Sequence, residues 1–429
     1  MKILIIGDIF IDTHMDISDQ KINRIGGIFH SVRALNALNM NCEILYCGSS
    51  FMEEHIKKYE KKLGILQAYK CFDRKGSPGI FLVEHSNELH SNKYEYILPD
   101  EEFIEFNETL FNSIAFEHFT DVLIFPGTYD LNIVLEKLSD YHLNIHIDMQ
   151  YEDFEKLEKY KLDTIFISIN NTSTLEGTMK YLENQKNWKT AVLKENRGGS
   201  YILTSDGTQF EIPAYLFGSL HSVGVGDVYN ASYLVYKNSG LCIDDSLVKA
   251  SYNASLYSTT LSYEKYVESL LVLKDYVPLK SNGTRVPFVK RSDFHIYVAG
   301  PDFNGYKYKT YFDKISEILS YHNFNGHFPI RENGDGNGQD KQEQSTMYKK
   351  DIELLEQCQI MIACGFENDS GTMAEIGYFK AQKKPIILFD PTKDVTNMFV
   401  RHTVTDIVYS LDDLLDTVYR FAGKEFNNE

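Results

Sequence analysis

Ile360-Met-Ile-Ala-Cys364-Gly-Phe-Glu-Asn-Asp369-Ser-Gly-Thr-Met-Ala-Glu375-Ile-Gly-Tyr378 reads as a buried strand that runs straight into a helix. The apolar run 360–364 suits a strand covered on both faces, and Gly365 and Gly371 permit the tight turns that follow. This spacing predicts Glu375 on the first turn of the helix, at the carboxyl end of the strand, where open α/β sheets hold their ligands. A glutamate there either acts on a ligand or only complements the helix dipole.

Its surroundings favour the first alternative. Upstream, Phe294-His-Ile-Tyr297-Val-Ala-Gly-Pro301-Asp-Phe303 reads as a second buried strand ending in a Gly-Pro turn, which brings Tyr297 and Phe303 toward the same sheet edge. Between the two strands, Tyr348 to Gln359 reads as a helix with apolar positions at Ile352, Leu354 and Leu355. Strand, helix, strand, helix is the flavodoxin-like or Rossmann-like order. With these residues in place, the segment from about 294 to 425 resembles the nucleoside 2-deoxyribosyltransferase family, whose members exchange the base of a 2′-deoxynucleoside.

The resemblance implies roles for particular side chains. Glu375 matches the family's nucleophile, Tyr297 the tyrosine that orients it, and Asp351 an active-site aspartate. Phe303 falls where an aromatic ring stacks on the base, and Asp369 where a carboxylate binds sugar hydroxyls. Asn397-Met398 resembles a pair lent to a neighbouring subunit's site. Cleaving an N-glycosidic bond builds positive charge at C1′, which a carboxylate stabilises and traps as a glycosyl ester. One position departs: Gln359 stands where the family carries a second aspartate that contacts the base, and glutamine cannot deliver a proton. Asp369 replaces the serine of the related deoxynucleoside 5′-monophosphate N-glycosidases, which points to a nucleoside rather than a nucleotide. The polar, glycine-rich stretch Arg331–Ser345 reads as a mobile lid or as a disordered insertion.

The first two-thirds alternate short apolar strands (2–6, 43–47, 121–125, 144–148, 164–169, 190–194) with helical stretches such as 30–38. A hairpin-like pair at 79–84 and 93–97 interrupts them, so a mostly parallel sheet with a small β flap is expected. His221-Ser-Val-Gly224-Val225-Gly226-Asp227 is either a plain helix start or an anion hole with a base beside it. Together with Asp12 and the Gly26-Gly27 turn, it makes residues 1–280 resemble the ribokinase-like (PfkB) sugar and nucleoside kinases. That resemblance makes Asp227 the catalytic base, Gly224, Val225 and Gly226 the anion hole, Asp12 a sugar-hydroxyl ligand, and Gly26 and Gly27 the turn against the sugar. It implies ATP and Mg2+ as cofactors if the unit is active, and none for the C-terminal domain. Several positions depart: His30 or Ser31 replaces an asparagine, His221 an aspartate, Ser173 the magnesium-organising glutamate three residues after Asn170, and Glu195 a glycine of the nucleotide loop.

At 429 residues two or three domains are expected. The reading is α/β throughout: a ribokinase-like three-layer domain with a β flap at 1–283, a linker at 284–293, and a flavodoxin-like parallel-sheet domain at 294–429. A net charge of −18 argues against nucleic acid or acidic membranes as partners. Six cysteines without CxxC or His-spaced patterns point to reduced thiols, no metal site and a cytoplasmic setting. The function expected is a bifunctional enzyme of nucleoside salvage, acting on small nucleosides or sugars as a homo-oligomer. The alternative is an N-terminal pseudokinase that binds or assembles, joined to a nucleoside N-glycosidase.

Overall fold

The protein is described by a computed structural model covering residues 2–15, 21–84, 95–96, 103–149, 157–169, 172–185, 187–303, 305–336 and 338–427. It forms two compact units, one of Met1–Glu84 with Lys93–Arg285, the other including Val286–Glu429. The division falls inside the turn-rich stretch 280–293. Of the expected linker, Thr284 bridges to Ala214 in the first unit, and Phe288–Asp293 forms a 3-10 helix with Phe288 buried.

The first unit is built on a ten-stranded sheet. Its order is Gln209–Ile212, Ser200–Thr204, Trp188–Lys194, Leu162–Ser168, Asn144–Met149, Asp121–Ile124, Ile3–Asp8, Cys42–Ser49, Ile65–Lys75 and Phe103–Phe106. The seven central strands run parallel, and the flanking ones are antiparallel. Central strands such as Ile3–Asp8, Asp121–Ile124 and Leu162–Ser168 are buried along all or nearly all of their length, as strands covered on both faces are. A separate four-stranded flap pairs Lys21–Ile25, Ile11–Met15, Ile80–Glu84 and Glu95–Tyr96. The expected hairpin is its outer half, in register Phe81 with Tyr96, while positions 93, 94 and 97 lie outside the described residues.

The second unit is a five-stranded, wholly parallel sheet in the order Asn325–His327, His295–Ala299, Ile360–Cys364, Ile386–Phe389, Asp406–Val408. Counted along the chain this is 2-1-3-4-5, the flavodoxin-like order, and direction reverses between His295–Ala299 and Ile360–Cys364. Open sheets of this order hold their ligands at that switch point, outside the carboxyl ends of the two strands.

The two ends of the stretch 331–345 are helical, and the described residues between them, 334–336 and 338–340, lie outside helix and strand. Pro329–Asn333 is a short helix, and Asp340 starts the helix Lys341–Gln357 through a capping box with Glu343. Polar residues hold this segment by caps and ion pairs, so low hydropathy did not prevent order. Five cysteines are buried and free; Cys242, also free, is exposed at the start of the helix Ile243–Ser258, where its Sγ accepts from the Asp245 amide. Among the described residues no helix is long and apolar enough to cross a membrane.

Candidate active sites

In the second unit, the strand His295–Ala299 is buried, and Tyr297 is fully enclosed midway along it. Its hydroxyl donates to Glu375 Oε1 at 2.7 Å. Glu375 is reached from the neighbouring strand through the helix Ser370–Ala381, so the two partners face each other across the switch point. The sequence reading put Glu375 on the first turn, but the helix begins at Ser370 and Glu375 is a turn further on. Asp369 sets that start: its Oδ2 accepts from the Thr372 amide at 2.8 Å and from the Thr372 hydroxyl at 2.9 Å.

Burial pushes the Glu375 carboxyl up to about 7, opposed by the Tyr297 hydrogen bond and reinforced by the nearby charges of Asp351 and Asp369. Asp351 is half-buried on the helix Lys341–Gln357, and burial raises its carboxyl too, against a 2.7 Å hydrogen bond from Asn333. Three carboxylates thus act on one another here, each with one donor residue: Tyr297 to Glu375, Asn333 to Asp351 and Thr372 to Asp369. Phe303, on the loop after the first strand, is 36% exposed and free to stack. Beside it buried Asp302 pairs with Lys309 at 3.3 Å and with Arg331, which also reaches Asp313 at 2.8 Å.

Two expected residues lie elsewhere. Gln359 precedes its strand at the amino end of the sheet, where its side-chain Oε1 accepts from the His295 backbone N–H at 2.7 Å while its own backbone N–H donates to the His295 carbonyl at 2.9 Å. Its side chain is spent on fastening two strands and does not turn to the switch point. Asn397 is exposed and caps the helix Met398–Thr403, accepting from Phe399 N at 2.9 Å and Val400 N at 3.3 Å. Met398 and Phe399 beside it are 70% and 77% exposed. Sequence reasoning missed Asn333 and Arg331, because neither stands at a telling spacing from Asp351 or Phe303.

Residues 296–412 match the nucleoside 2-deoxyribosyltransferase family model. No curated protein matches the chain. Solved structures similar to it include a ribokinase from Giardia lamblia, 16% identical with a TM-score of 0.49, spanning 63% of this chain and 99% of that one. A Thermotoga maritima ribokinase shows 15% identity and a TM-score of 0.47 over 63% and 99% of the two chains. A Burkholderia thailandensis nucleoside kinase solved with inosine shows 14% and 0.46 over 64% and 99%.

In the first unit, Gly224 takes a left-handed conformation at the N-cap of the helix Val225–Asn238, where the Val225 amide donates to the Ser222 carbonyl at 3.2 Å and the Gly226 amide faces the open end. Asp227 follows in the first turn; burial pushes its carboxyl up to about 7, with Asp148 adding and Lys194 opposing. The carboxylate has no hydrogen-bonded partner among the described residues. Lys194 ends its strand with Nζ 2.6 Å from Asp148 Oδ2, and a Cβ on Gly226 would sit 3.3 Å from that amine. Asn230 also donates to Asp148 at 2.6 Å. Glu195 does not confront the hole as a bare charge, since buried Glu195 pairs with Arg285 at 2.7 Å.

Asp12 is 2% exposed on the flap strand Ile11–Met15. His30 Nε2 approaches its Oδ2 to 3.1 Å and Arg24 Nε to 3.6 Å. Burial alone would raise the Asp12 carboxyl, but His30 and Arg24 hold it below its ordinary value. Gly26 leaves room for that carboxylate, since a Cβ there would fall 2.0 Å from Oδ1; Gly27, at φ 60°, lies against the Asp8 carbonyl. Asn170 and the side chain of Ser173 lie outside the described residues. Among the described residues no group of three or more His, Cys, Asp or Glu could hold a metal ion.

Proposed function

We propose that the second unit cleaves the N-glycosidic bond of a 2′-deoxynucleoside, with Glu375 as nucleophile. The observation that carries this reading is the 2.7 Å hydrogen bond from buried Tyr297 to a half-buried carboxylate at the switch point. A Glu375 oxygen forms a bond to C1′ as the bond from C1′ to the base nitrogen breaks, and the base leaves with that electron pair and gains a proton. Asp351, whose carboxyl burial raises, is the group suited to supply that proton, since Gln359 is elsewhere. A second base then attacks C1′ and releases Glu375, whereas water in its place yields free 2-deoxyribose. Phe303 would stack on the base and Asp369 would turn its remaining carboxylate oxygen to the sugar. Exposed Asn397 and Met398 suit a contribution to a neighbouring copy's site in a homo-oligomer.

Brief exposure to 2′-deoxynucleosides, followed by mass spectrometry of the peptide containing Glu375, should find a deoxyribosyl adduct. Base release by Glu375→Gln at the wild-type rate would refute the role. Adding a second base separates transfer from hydrolysis, because sugar release that ignores the acceptor means hydrolysis.

For the first unit the reading is phosphoryl transfer from ATP to a sugar or nucleoside hydroxyl. It is favoured by Asp227, a carboxylate raised to about 7 in the first turn of its helix, next to the Gly226 amide. Asp227 would take the hydroxyl proton while the hydroxyl oxygen bonds to the γ-phosphorus and ADP leaves with the electron pair of the broken bond. Lys194, paired with Asp148 at 2.6 Å, would meet phosphate charge by leaving that pair. ATP consumption across a panel of nucleosides and sugars, lost in Asp227→Asn, tests it.

A further inference from the structure

We propose that the hydroxyl-binding end of the first unit is held shut by the chain's own His30, whose imidazole stands where a ligand's sugar ring must lie, so that a hydroxylated ligand binds by displacing it. The inference rests on reading Asp12 as the group that takes ligand hydroxyls, and goes beyond it in naming what now occupies the place.

His30 is 2% exposed, the second residue of the helix Phe29–Ala37. One edge of its ring meets the Asp12 carboxylate at 3.1 Å, and on the other Nδ1 lies 2.8 Å from the Tyr257 hydroxyl. The face lies on the anion-hole turn: a Cβ on Gly224 would fall 2.1 Å from the ring's Cγ. The imidazole therefore fills the space between the carboxylate and the glycine that opens the Asp227 helix. That is the path a hydroxyl would follow to reach both groups.

The fit is imperfect in a telling way. Asp12 Oδ2 is buried without a well-aligned hydrogen-bond donor among the described residues, despite the nearby ring nitrogen. A buried carboxylate oxygen without an aligned donor is costly, and a ligand hydroxyl would repair it. His221, where the notional motif opens, is similar: its Nε2 meets the Thr260 carbonyl at 3.2 Å, which leaves buried Nδ1 without a partner among the described residues. Arg24 closes the far side, with its guanidinium 5.5 Å over the Tyr257 ring and NH2 donating to the Val223 carbonyl at 3.3 Å. Flap strand, first helix and anion-hole loop are thereby linked through one small cluster. Burial pushes His30 down to about 4, so at neutral pH the ring is uncharged and leaves without losing an ionic charge of its own.

The test measures D-ribose and inosine binding by calorimetry to the full chain and to His30→Asn, both carrying Glu375→Gln to silence the second unit. The variant should bind at least one probe tenfold or more tighter, and adding Asp12→Asn should remove the gain. Tyr257→Phe, which cuts only the rear hydrogen bond of the ring, should move affinity the same way by a smaller factor, and covers the case in which His30→Asn does not fold. Equal affinity of wild type and folded variants, no binding by any of them, or a gain that survives Asp12→Asn overturns the proposal. Tighter binding without ATP consumption would sink the phosphoryl-transfer reading alone. ATP consumption with the same KM in wild type and His30→Asn would sink this proposal alone.

Discussion

Replacing Tyr297 by phenylalanine removes one oxygen from a filled site and isolates what its hydrogen bond does for Glu375. The bond is 2.7 Å long and is the one influence that pulls the Glu375 carboxyl downward against burial and two neighbouring carboxylates. A hydrogen bond to a charged group contributes about 1.5–3 kcal/mol. At about 1.4 kcal/mol per pKa unit, losing it lifts Glu375 from about 7 by about one to two units. At pH 7 the ionised fraction then drops from about a half to between about a tenth and about a hundredth. Activity at that pH falls about five- to fifty-fold from protonation alone. The assay is base release from a panel of purine and pyrimidine 2′-deoxynucleosides, with kcat/KM followed from about pH 6 to about pH 9.5. Wild-type activity should rise with pH through about 7 and the Tyr297→Phe curve should rise later. Any deficit remaining at each curve's maximum, below the pH at which Asp351 loses the proton it supplies, measures the lost orientation of the carboxylate. An unshifted midpoint, or one that moves to lower pH, would refute the view that this tyrosine keeps the nucleophile ionised.

Glu375→Gln should stabilise the protein at the expense of activity. A carboxyl raised from 4.5 to about 7 gives stability that is present at low pH and lost as pH rises through about 7, so the variant should be more stable than wild type by about 1–2 kcal/mol at pH 8 and nearly equal at pH 5, read by thermal melting. Asn333→Ala should lower kcat about fivefold with little change in KM, since it frees Asp351 from a 2.7 Å hydrogen bond worth about 1 kcal/mol; an unchanged kcat would show that Asp351 needs no such positioning. If Asp227 is the base of the first unit, ATP consumption should increase as pH rises through about 7 and vanish in Asp227→Asn. Mixing Asn397→Ala chains with Glu375→Ala chains should restore part of the base-release activity; an inactive mixture argues against a site shared between copies.

Continuous apolar runs such as 3–6, 360–364 and 386–389 made the parallel strands legible, because a strand covered on both faces has no polar alternation to obscure it. The inner half of the flap was not legible. Ile11–Met15 and Lys21–Ile25 carry Asp12, His14, Asn23 and Arg24, whose polarity hides a strand when those side chains satisfy one another in place of facing solvent. Ile65–Lys75 was missed for a similar reason, with Lys70 and Asp73 forming an ion pair at 3.0 Å. In the second unit the pairing of Tyr297 with Glu375 came from the family resemblance, while the apolar runs conveyed only the two strands that carry it. What Asn333 and His30 touch depends on how separate elements approach, and spacing conveys nothing about that. Gln359 shows the opposite hazard, where a position matched to a family role is taken up by a local backbone contact.

The cysteines give this molecule a ready-made set of reporters. Burial pushes the thiols of Cys42, Cys47, Cys71 and Cys358 up to about 12 and raises Cys364 as well, so in the native state they resist alkylation, while exposed Cys242 stays accessible. A maleimide dye would therefore attach at Cys242 alone, on the helix that follows the one bearing Asp227. In rising denaturant, peptide mapping of newly alkylated thiols would distinguish melting of the ten-stranded sheet, seen at Cys42, Cys47 and Cys71, from melting of the five-stranded one, seen at Cys358 and Cys364.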